Sequence, residues 1–204
     1  MKNYNLAAKL YDPLLTQVLR PIRVDIMKKL LEKNDAKILD LCCGTGNQLK
    51  ILGNNGFTNL LGLDLSQSML EIAKRGNHDI EILNKDATNT NLQNCSIDIV
   101  ILSLAIHEKN RYTQENLLKE AYRILKESGS LIIADYDFRK PTSWLTKTVI
   151  TIIERIAGKE HYNNFKAYIK NRGLSSLIDK TRFLPKAQGT LHRGIKVTEF
   201  LKNS

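Results

Sequence analysis

Several features that would place a chain in a specialised class are missing from this sequence of 204 residues. It has three cysteines, of which Cys42 and Cys43 are adjacent, so we expect no disulfide framework. Its four histidines never show the close spacings typical of metal ligands, and we therefore expect no structural or catalytic metal. The sequence has no apolar run long enough for a membrane span and no apolar secretory signal at its amino end. We expect a cytoplasmic protein.

Positive charge is present in excess, and the excess lies at one end of the chain. Up to residue 138, 17 Lys and Arg balance 17 Asp and Glu, whereas the remaining residues carry 14 against 4, which accounts for the net charge of +10. A basic surface of this kind attracts an anionic substrate, an anionic membrane surface or nucleic acid, and it also favours solubility. Charge alone leaves these alternatives open.

Strand and helix patterns alternate through the middle of the chain. Because strands that alternate with helices pair in parallel, we expect a Rossmann-like α/β fold, with a doubly wound, mostly parallel sheet and helices on both faces. A weak alternation over 182–201 predicts a terminal antiparallel hairpin. The predicted core elements are strand 37–42, helix 46–54, strand 59–64, helix 67–75, strand 80–84, strand 97–103, helix 113–126 and strand 130–136.

We expect a single domain made of three parts, since the chain is short for two independent cores. Residues 1–35 carry helically spaced leucines interrupted by prolines and form a helical lid. Residues 36–138 form the cofactor-binding core. Residues 139–204 form basic substrate-cap helices and the terminal hairpin.

The cap contains a helix with a long apolar stripe, predicted over 143–157, and a second helical segment over 161–171. We expect the stripe to face the protein core, as is usual for an amphipathic helix of a folded domain, rather than a membrane. Glu154 is then expected on the surface. The stripe consists of Leu145, Val149, Ile152, Ile153 and Ile156.

Three acids recur at the carboxyl ends of successive predicted strands. Asp40 and Asp64 lie at the ends of the first and second strands, and Asp86 follows the third. After Asp40, Gly44 and Gly46 lack side chains, so the backbone can approach a ligand closely before the next helix begins. A carboxylate at the end of the second strand is suited to a ribose, because it accepts two hydrogen bonds from a vicinal diol.

The glycine turn differs from the dinucleotide-binding fingerprint. That fingerprint, GxGxxG, holds a pyrophosphate and needs a third glycine where this sequence has Leu49. Asp40 would also repel a pyrophosphate, whereas it suits a cationic ammonium group. A cofactor with an amino acid end, a ribose and no phosphate meets both conditions, and S-adenosylmethionine is such a cofactor.

With these motifs the sequence resembles the class I S-adenosylmethionine-dependent methyltransferases, and among them the ubiquinone and menaquinone biosynthesis group. The resemblance covers residues 36–137, and Cys42 stands where the family motif has its first glycine. Five blocks carry it: Ile38-Leu-Asp-Leu-Cys-Cys-Gly-Thr-Gly46, Leu61–Lys74, Asn84-Lys-Asp-Ala87, Asp98–Glu108 and Leu118–Asp135.

The resemblance implies a seven-stranded sheet, S-adenosylmethionine as cofactor and S-adenosylhomocysteine as product. It assigns Asp40 to the methionine ammonium group, Asp64 to the ribose hydroxyls, and Asp86 with Ala87 to the adenine. The full implied cofactor site is Asp40, Cys42, Gly44, Gly46, Asp64, Leu65, Met69, Asp86, Ala87 and Ser103.

Candidate acceptor residues lie beyond the fourth strand and in the lid. His107 is a candidate general base, because an imidazole titrates near neutral pH; it can equally shape the pocket. Glu108 beside it and Tyr11 in the lid are candidates for acceptor contact, and Tyr11 can equally be a core aromatic.

The sequence as a whole predicts a methyltransferase for a small or lipophilic acceptor, such as a quinone precursor or a lipid-like molecule. The protein is expected in the cytoplasm, with peripheral membrane contact through its basic third as an option. One alternative is an RNA methyltransferase, indicated by basic residues among Tyr162, Phe165 and Tyr168, although no appended RNA-binding domain or Asn-Pro-Pro-Tyr motif is present. Another is a protein that binds the cofactor without catalysis.

Overall fold

The computed structural model describes residues 17–75, 80–138, 142–178 and 183–203. Tyr11 and the first half of the predicted lid lie outside these residues. The described residues form helix α1 over 17–28, followed by β1 (Ile38–Leu41), α2 (Asn47–Gly53), β2 (Leu60–Asp64), α3 (Gln67–Ala73), β3 (Glu81–Asn84), β4 (Ile97–Ser103), α4 (Arg111–Ile124), β5 (Leu125–Tyr136), α5 (Trp144–Ile156), α6 (Lys159–Lys170), α7 (Leu174–Ile178), β6 (Phe183–Pro185), β7 (Thr190–His192) and β8 (Ile195–Lys202).

The strands form one mixed sheet, in the order β3-β2-β1-β4-β5-β8-β6, with β7 also paired to β8. Strands β1 to β5 run parallel, and β8 runs antiparallel to β5. Central strands β1 and β4 are nearly continuous apolar runs because both of their faces are covered. The predicted fold, a mostly parallel sheet with antiparallel carboxyl-terminal strands, is confirmed.

The terminal hairpin is more elaborate than predicted. One edge of β8 pairs with β5 from Ile195 to Leu201, so β6 and β7 share the opposite edge, each pairing with a different end of β8. Arg193 and Gly194 connect β7 to β8 with φ angles of 45° and 86°. Two left-handed residues in a two-residue loop are typical of the turn that matches strand twist in hairpins. The extra strand β7 brings the described sheet to eight strands rather than seven.

The helix before β5 begins and ends earlier than predicted. The side chain of Asn110 accepts a hydrogen bond of 2.9 Å from the amide of Thr113, and this cap starts α4 at Arg111. The chain then passes directly into β5 at Leu125 instead of residue 130. A register shift between Ile97 and Ile99 of β4 accommodates the early start.

The prediction for the cap helix α5 was wrong about its orientation. Four residues of its apolar stripe are between 52% and 58% exposed, whereas Glu154 is 4% exposed and faces inward. Helical spacing shows that residues share a face but not which side that face turns to. Buried polar partners for the carboxylate, described below, decide the orientation. The exposed stripe residues are Leu145, Val149, Ile152 and Ile156.

The parallel pairing brings the strand ends that carry Asp40, Asp64 and Ser103 to one edge of the sheet. Asp40 pairs with Gly62 in β2 and with Ile101 in β4, so β1, β2 and β4 end close together. Ser103 at the end of β4 is in register with Ala134 of β5. Ligands of doubly wound folds bind outside this carboxyl edge. None of the described helices is long and apolar enough to span a membrane.

Candidate functional site

A turn of left-handed residues connects β1 to α2. Cys42, Gly44 and Gly46 have φ angles of 69°, 54° and 71°. A Cβ on Gly46 would lie 3.0 Å from that of Ala73, so helix α3 packs closely against the turn. By contrast, no atom of the described residues lies within 4 Å of the place where a Cβ on Gly44 would sit. The turn therefore presents bare backbone to open space, as a cofactor needs.

Asp64 connects the end of β2 to this turn. Its Oδ2 accepts a hydrogen bond of 2.9 Å from the amide of Gly44, and its Oδ1 accepts one of 2.9 Å from the amide of Ser66. The side-chain amide of Asn84 donates to the carbonyl oxygens of Asp64 and Leu65, both at 3.0 Å. A carboxylate has about four lone-pair positions, so Asp64 can hold the turn and still accept hydrogen bonds from a ligand.

Asp40 lies beneath the turn and is only 2% exposed. Burial raises its pKa to about 7, and the nearby negative charge of Asp64 adds to the increase, while Arg23 opposes it. The raised pKa shows that the positive charge of Arg23 does not offset burial and the charge of Asp64. A ligand ammonium group would add positive charge and would favour the ionised form.

The remaining predicted cofactor residues are placed along the same edge. Asp86 is exposed, and its Oδ1 accepts hydrogen bonds of 2.8 Å from both the amide and the hydroxyl of Thr88, so it shapes the turn after β3. Ala87 next to it is buried. The structure brings Asp40, Cys42, Gly44, Gly46 and Asp64 together, while the adenine and methionine roles of Asp86, Ala87, Leu65, Met69 and Ser103 stay predictions.

His107 follows β4 and is buried between two carboxylates. Its Nδ1 lies 2.7 Å from Oδ1 of Asp135, and its Nε2 lies 3.4 Å from Oε2 of Glu154. Burial by itself would lower the pKa of His107, but Asp135 and Glu154 together raise it to about 10. An imidazole that is protonated at neutral pH cannot accept a proton from an acceptor. The general-base role, still a prediction, would require one of these contacts to open.

Glu108 links the loop after β4 to helix α6. Its carboxylate lies 2.6 Å from Nζ of Lys109 and 3.4 Å from Nδ1 of His161. The side-chain amide of Asn164 donates a hydrogen bond of 2.8 Å to the carbonyl oxygen of Glu108. Glu108 is therefore half-buried under the cap, and its contact with an acceptor stays a prediction.

Four residues at this end of the site were missed by reasoning from the sequence: Asp135, Tyr136, Glu154 and His161. Asp135 could have been found, because it is a further acid near the carboxyl end of a predicted strand. The tyrosine hydroxyl donates a hydrogen bond of 2.8 Å to Oε1 of Glu154, and Nε2 of His161 lies 2.6 Å from Oε2. No local pattern connects these residues, because two of them lie on cap helices whose packing decides the contacts.

Comparison with known proteins agrees with this geometry. Residues 38–129 of the chain match the family described as methyltransferase domain. The chain has the fold of the class I S-adenosylmethionine-dependent enzymes. A structure of a S-adenosylmethionine-dependent methyltransferase from Thermotoga maritima aligns over 98% of each chain, with a TM-score of 0.71 and 21% identity. The family match and the fold support the predicted cofactor, S-adenosylmethionine.

Within that class the chain is similar to the quinone-biosynthesis group, as predicted. It is 31% identical over 114 residues to the ubiquinone/menaquinone biosynthesis C-methyltransferase of Campylobacter jejuni. This alignment covers 53% of this chain and 48% of the relative. It is also 31% identical over 141 residues to the demethylmenaquinone methyltransferase of Thermotoga maritima. That alignment covers 66% of this chain and 60% of the relative. The chain thus spans only part of the length of these relatives.

The left-handed Cys42 generates a prediction about stability. Replacing Cys42 with Gly should raise the free energy of unfolding by about 0.5–1 kcal/mol, because glycine adopts this backbone conformation without a steric penalty. Urea denaturation followed by circular dichroism measures the change. Cys43→Gly removes the same atoms from a buried position without a positive φ, and it should instead destabilise by about 1–2 kcal/mol. Equal losses for both variants would contradict the strain at Cys42.

The raised pKa of Asp40 generates a prediction about pH. Because the folded carboxyl group is half-protonated near pH 7, a cationic ligand that needs the carboxylate must displace a proton below that pH. Affinity for S-adenosylhomocysteine should therefore fall about tenfold as the pH decreases from 8 to 6. Isothermal titration calorimetry measures it. Asp40→Asn should bind weakly and with little pH dependence, whereas an unchanged slope in this variant would show that Asp40 is not the titrating group.

Proposed function

We propose that the protein transfers the methyl group of S-adenosylmethionine to a small lipophilic acceptor. The observation that carries the proposal is that the glycine turn, Asp40 and Asp64 lie together at the carboxyl edge of the sheet. Asp64 already holds the turn through Gly44, so the backbone and both carboxylates are positioned before any ligand arrives. Such prior ordering reduces the entropic cost of placing the reactants.

The chain's own residues would bind and orient the cofactor rather than react with it. Asp40 would pair with the methionine ammonium group, and Asp64 would accept hydrogen bonds from the ribose hydroxyls. Bound S-adenosylmethionine supplies a sulfonium methyl group that is already electrophilic, so transfer needs mainly alignment. The half-buried Ser103 at the end of β4 would adjoin the amino acid end.

We propose a lipophilic acceptor because aromatic rings from the cap and from the end of β5 pack together beside the ends of β4 and β5. The ring of Tyr136 lies 5.4 Å from that of Phe165 and 5.9 Å from that of Phe138, centroid to centroid. Tyr162 stacks on Phe165 at 6.5 Å. Tyr136 and Phe165 are themselves buried, so these rings make the surroundings of the strand ends apolar without offering an exposed stacking face. The names of the quinone-biosynthesis relatives support a quinone precursor.

An RNA acceptor is less well supported. The aromatic residues that could have stacked on bases, Phe165 and Tyr168, are each only 3% exposed, and Phe165 packs at right angles to His107. Base stacking requires an exposed ring face. The basic third would then serve another partner, and we propose an anionic membrane surface.

The exposed stripe of α5 supports that membrane contact. Leu145, Val149, Ile152 and Ile156 turn outward on a helix that also carries Lys147 and Arg155. Apolar residues that turn outward beside cations are typical of helices that lie in the membrane interface. The protein would thus collect a lipophilic acceptor from the membrane while remaining peripheral to it.

Methyl transfer tests the proposal directly. With a labelled methyl donor, the wild-type protein should methylate short-chain demethylated quinones, and Asp64→Ala should reduce this transfer by at least tenfold because it removes the proposed ribose contact and the hydrogen bond to Gly44. Affinity for S-adenosylmethionine, measured by calorimetry, should fall to the same extent.

Asp98→Ala provides the matched control. Asp98 pairs with Lys126 at 2.8 Å near the amino end of β4, away from the proposed site, and its loss should leave affinity and transfer unchanged. Unchanged cofactor affinity in Asp64→Ala would contradict the ribose assignment. Cofactor binding without transfer to any quinone or lipid acceptor would indicate a protein that binds the cofactor without catalysis.

The membrane contact has its own test. Ile152→Glu places a charge in the centre of the exposed stripe, and it should reduce flotation with vesicles of phosphatidylglycerol at least several-fold without changing the fold. Asn163→Glu introduces the same charge at an exposed position of α6 and should reduce flotation much less. If wild-type protein fails to float with anionic vesicles, or if both variants float equally well, α5 does not contact the membrane.

A further inference from the structure

We propose that His107, Glu154 and His161 form a binding site for a divalent transition-metal ion of the zinc class. One side-chain atom from each residue lies within 4.8 Å of the other two. The histidines come from the loop after β4 and from α6, and the glutamate comes from α5. Such a site is distinct from the proposed cofactor site, because none of its three residues is assigned to the cofactor, but it includes His107, the candidate general base.

The three atoms lie close enough together to contact one ion. Nε2 of His107 lies 3.4 Å from Oε2 of Glu154, and Nε2 of His161 lies 2.6 Å from the same oxygen. Zinc–nitrogen and zinc–oxygen bonds of about 2.0–2.2 Å in a tetrahedron separate neighbouring ligand atoms by about 3.3–3.4 Å. The first pair already has this spacing, and the second reaches it if His161 moves by less than about 1 Å.

The shared oxygen lacks a hydrogen bond. Oε1 of Glu154 accepts one from the hydroxyl of Tyr136 at 2.8 Å, but Oε2 is buried and, among the described residues, has no hydrogen-bond partner. The nearby imidazole of His161 is close without being aligned as a donor. The negative charge on Oε2 is met by the two imidazoles, which lie at ion-pair distance without an aligned hydrogen bond. A metal ion held between this oxygen and the two ring nitrogens would take the place of the ring protons, which it would have to displace.

The outer nitrogens of both histidines already face carboxylates. Nδ1 of His107 lies 2.7 Å from Asp135, and Nδ1 of His161 lies 3.4 Å from Glu108. Metal-binding histidines characteristically give their second nitrogen to a carboxylate, which fixes the ring and turns the other nitrogen toward the metal. Here both rings are fixed in that orientation, with Nε2 toward the same glutamate oxygen.

The donor set indicates which metals fit. Two imidazoles and one carboxylate suit zinc and similar transition metals, whereas calcium and magnesium prefer sites made of oxygen atoms. Three protein ligands leave the fourth position of a tetrahedron for water or for a substrate atom. Because its ligands come from the core and from both cap helices, the ion would also hold the cap against the ends of β4 and β5.

Metal titration of the chelator-treated, full-length protein tests this inference without measuring methyl transfer. Zinc should bind at one equivalent with micromolar or tighter affinity in calorimetry and should raise the melting temperature by several degrees. Cobalt(II), used as a spectroscopic substitute, should give the visible absorption of a tetrahedral site. Absence of binding at millimolar zinc would overturn the proposal and leave the cluster as an ion-pair network.

Two variants distinguish a specific site from adventitious binding. His161→Ala removes a ligand at the cap surface and should weaken zinc binding at least a hundredfold; Glu154→Gln should do the same where it folds. His192→Ala is the matched control, because that histidine pairs with Asp25 outside the cluster, and it should bind zinc as the wild type does. Equal zinc affinity in His161→Ala and in the wild type would overturn the assignment.

Discussion

The buried carboxylate of Asp135 organises the part of the molecule where the core meets the cap. Its Oδ2 accepts hydrogen bonds from the amides of Ile106 and His107, at 3.1 and 3.2 Å. Its Oδ1 lies 2.7 Å from both the amide of Tyr136 and Nδ1 of His107. Removing one partner from such a buried charge costs about 3–5 kcal/mol. The loop after β4 and the orientation of His107, and through it that of the cap, therefore depend on this one side chain.

Two sites of different character arise from one constraint, the parallel pairing of β1 to β5. Because parallel strands end at the same edge, the acids after β1 and β2 lie beside the glycine turn, and the acid near the end of β5 lies beside the loop after β4. The pKa of Asp40 is raised by burial and by Asp64 despite the charge of Arg23, whereas Asp135 is fully engaged with backbone amides and an imidazole. The first arrangement is suited to a cationic ligand and the second to a fixed scaffold.

The sequence contains enough information to predict the sheet and the cofactor side, because both depend on local patterns. Apolar runs predict β1 and β2, and Asp40 and Asp64 are found from where those two strands end. Long-range packing decides the rest. The spacing in α5 identifies its stripe, but only the hydrogen bond from Tyr136 shows that Glu154 turns inward. His161 likewise has no sequence pattern that connects it to His107, 54 positions earlier in the chain.

The core and the cap also differ in how they compare with the methyltransferase family and in charge. The match to the methyltransferase domain ends at residue 129, before α5 and α6 begin, and the excess positive charge begins after residue 138. Those helices turn aromatic rings and polar side chains toward the core, and α5 turns aliphatic side chains toward solvent. A cap with an aromatic inner surface and an aliphatic outer surface would give a lipophilic acceptor a continuous apolar path to the edge of the sheet. The choice of acceptor would then depend on the cap, and the choice of cofactor on the core.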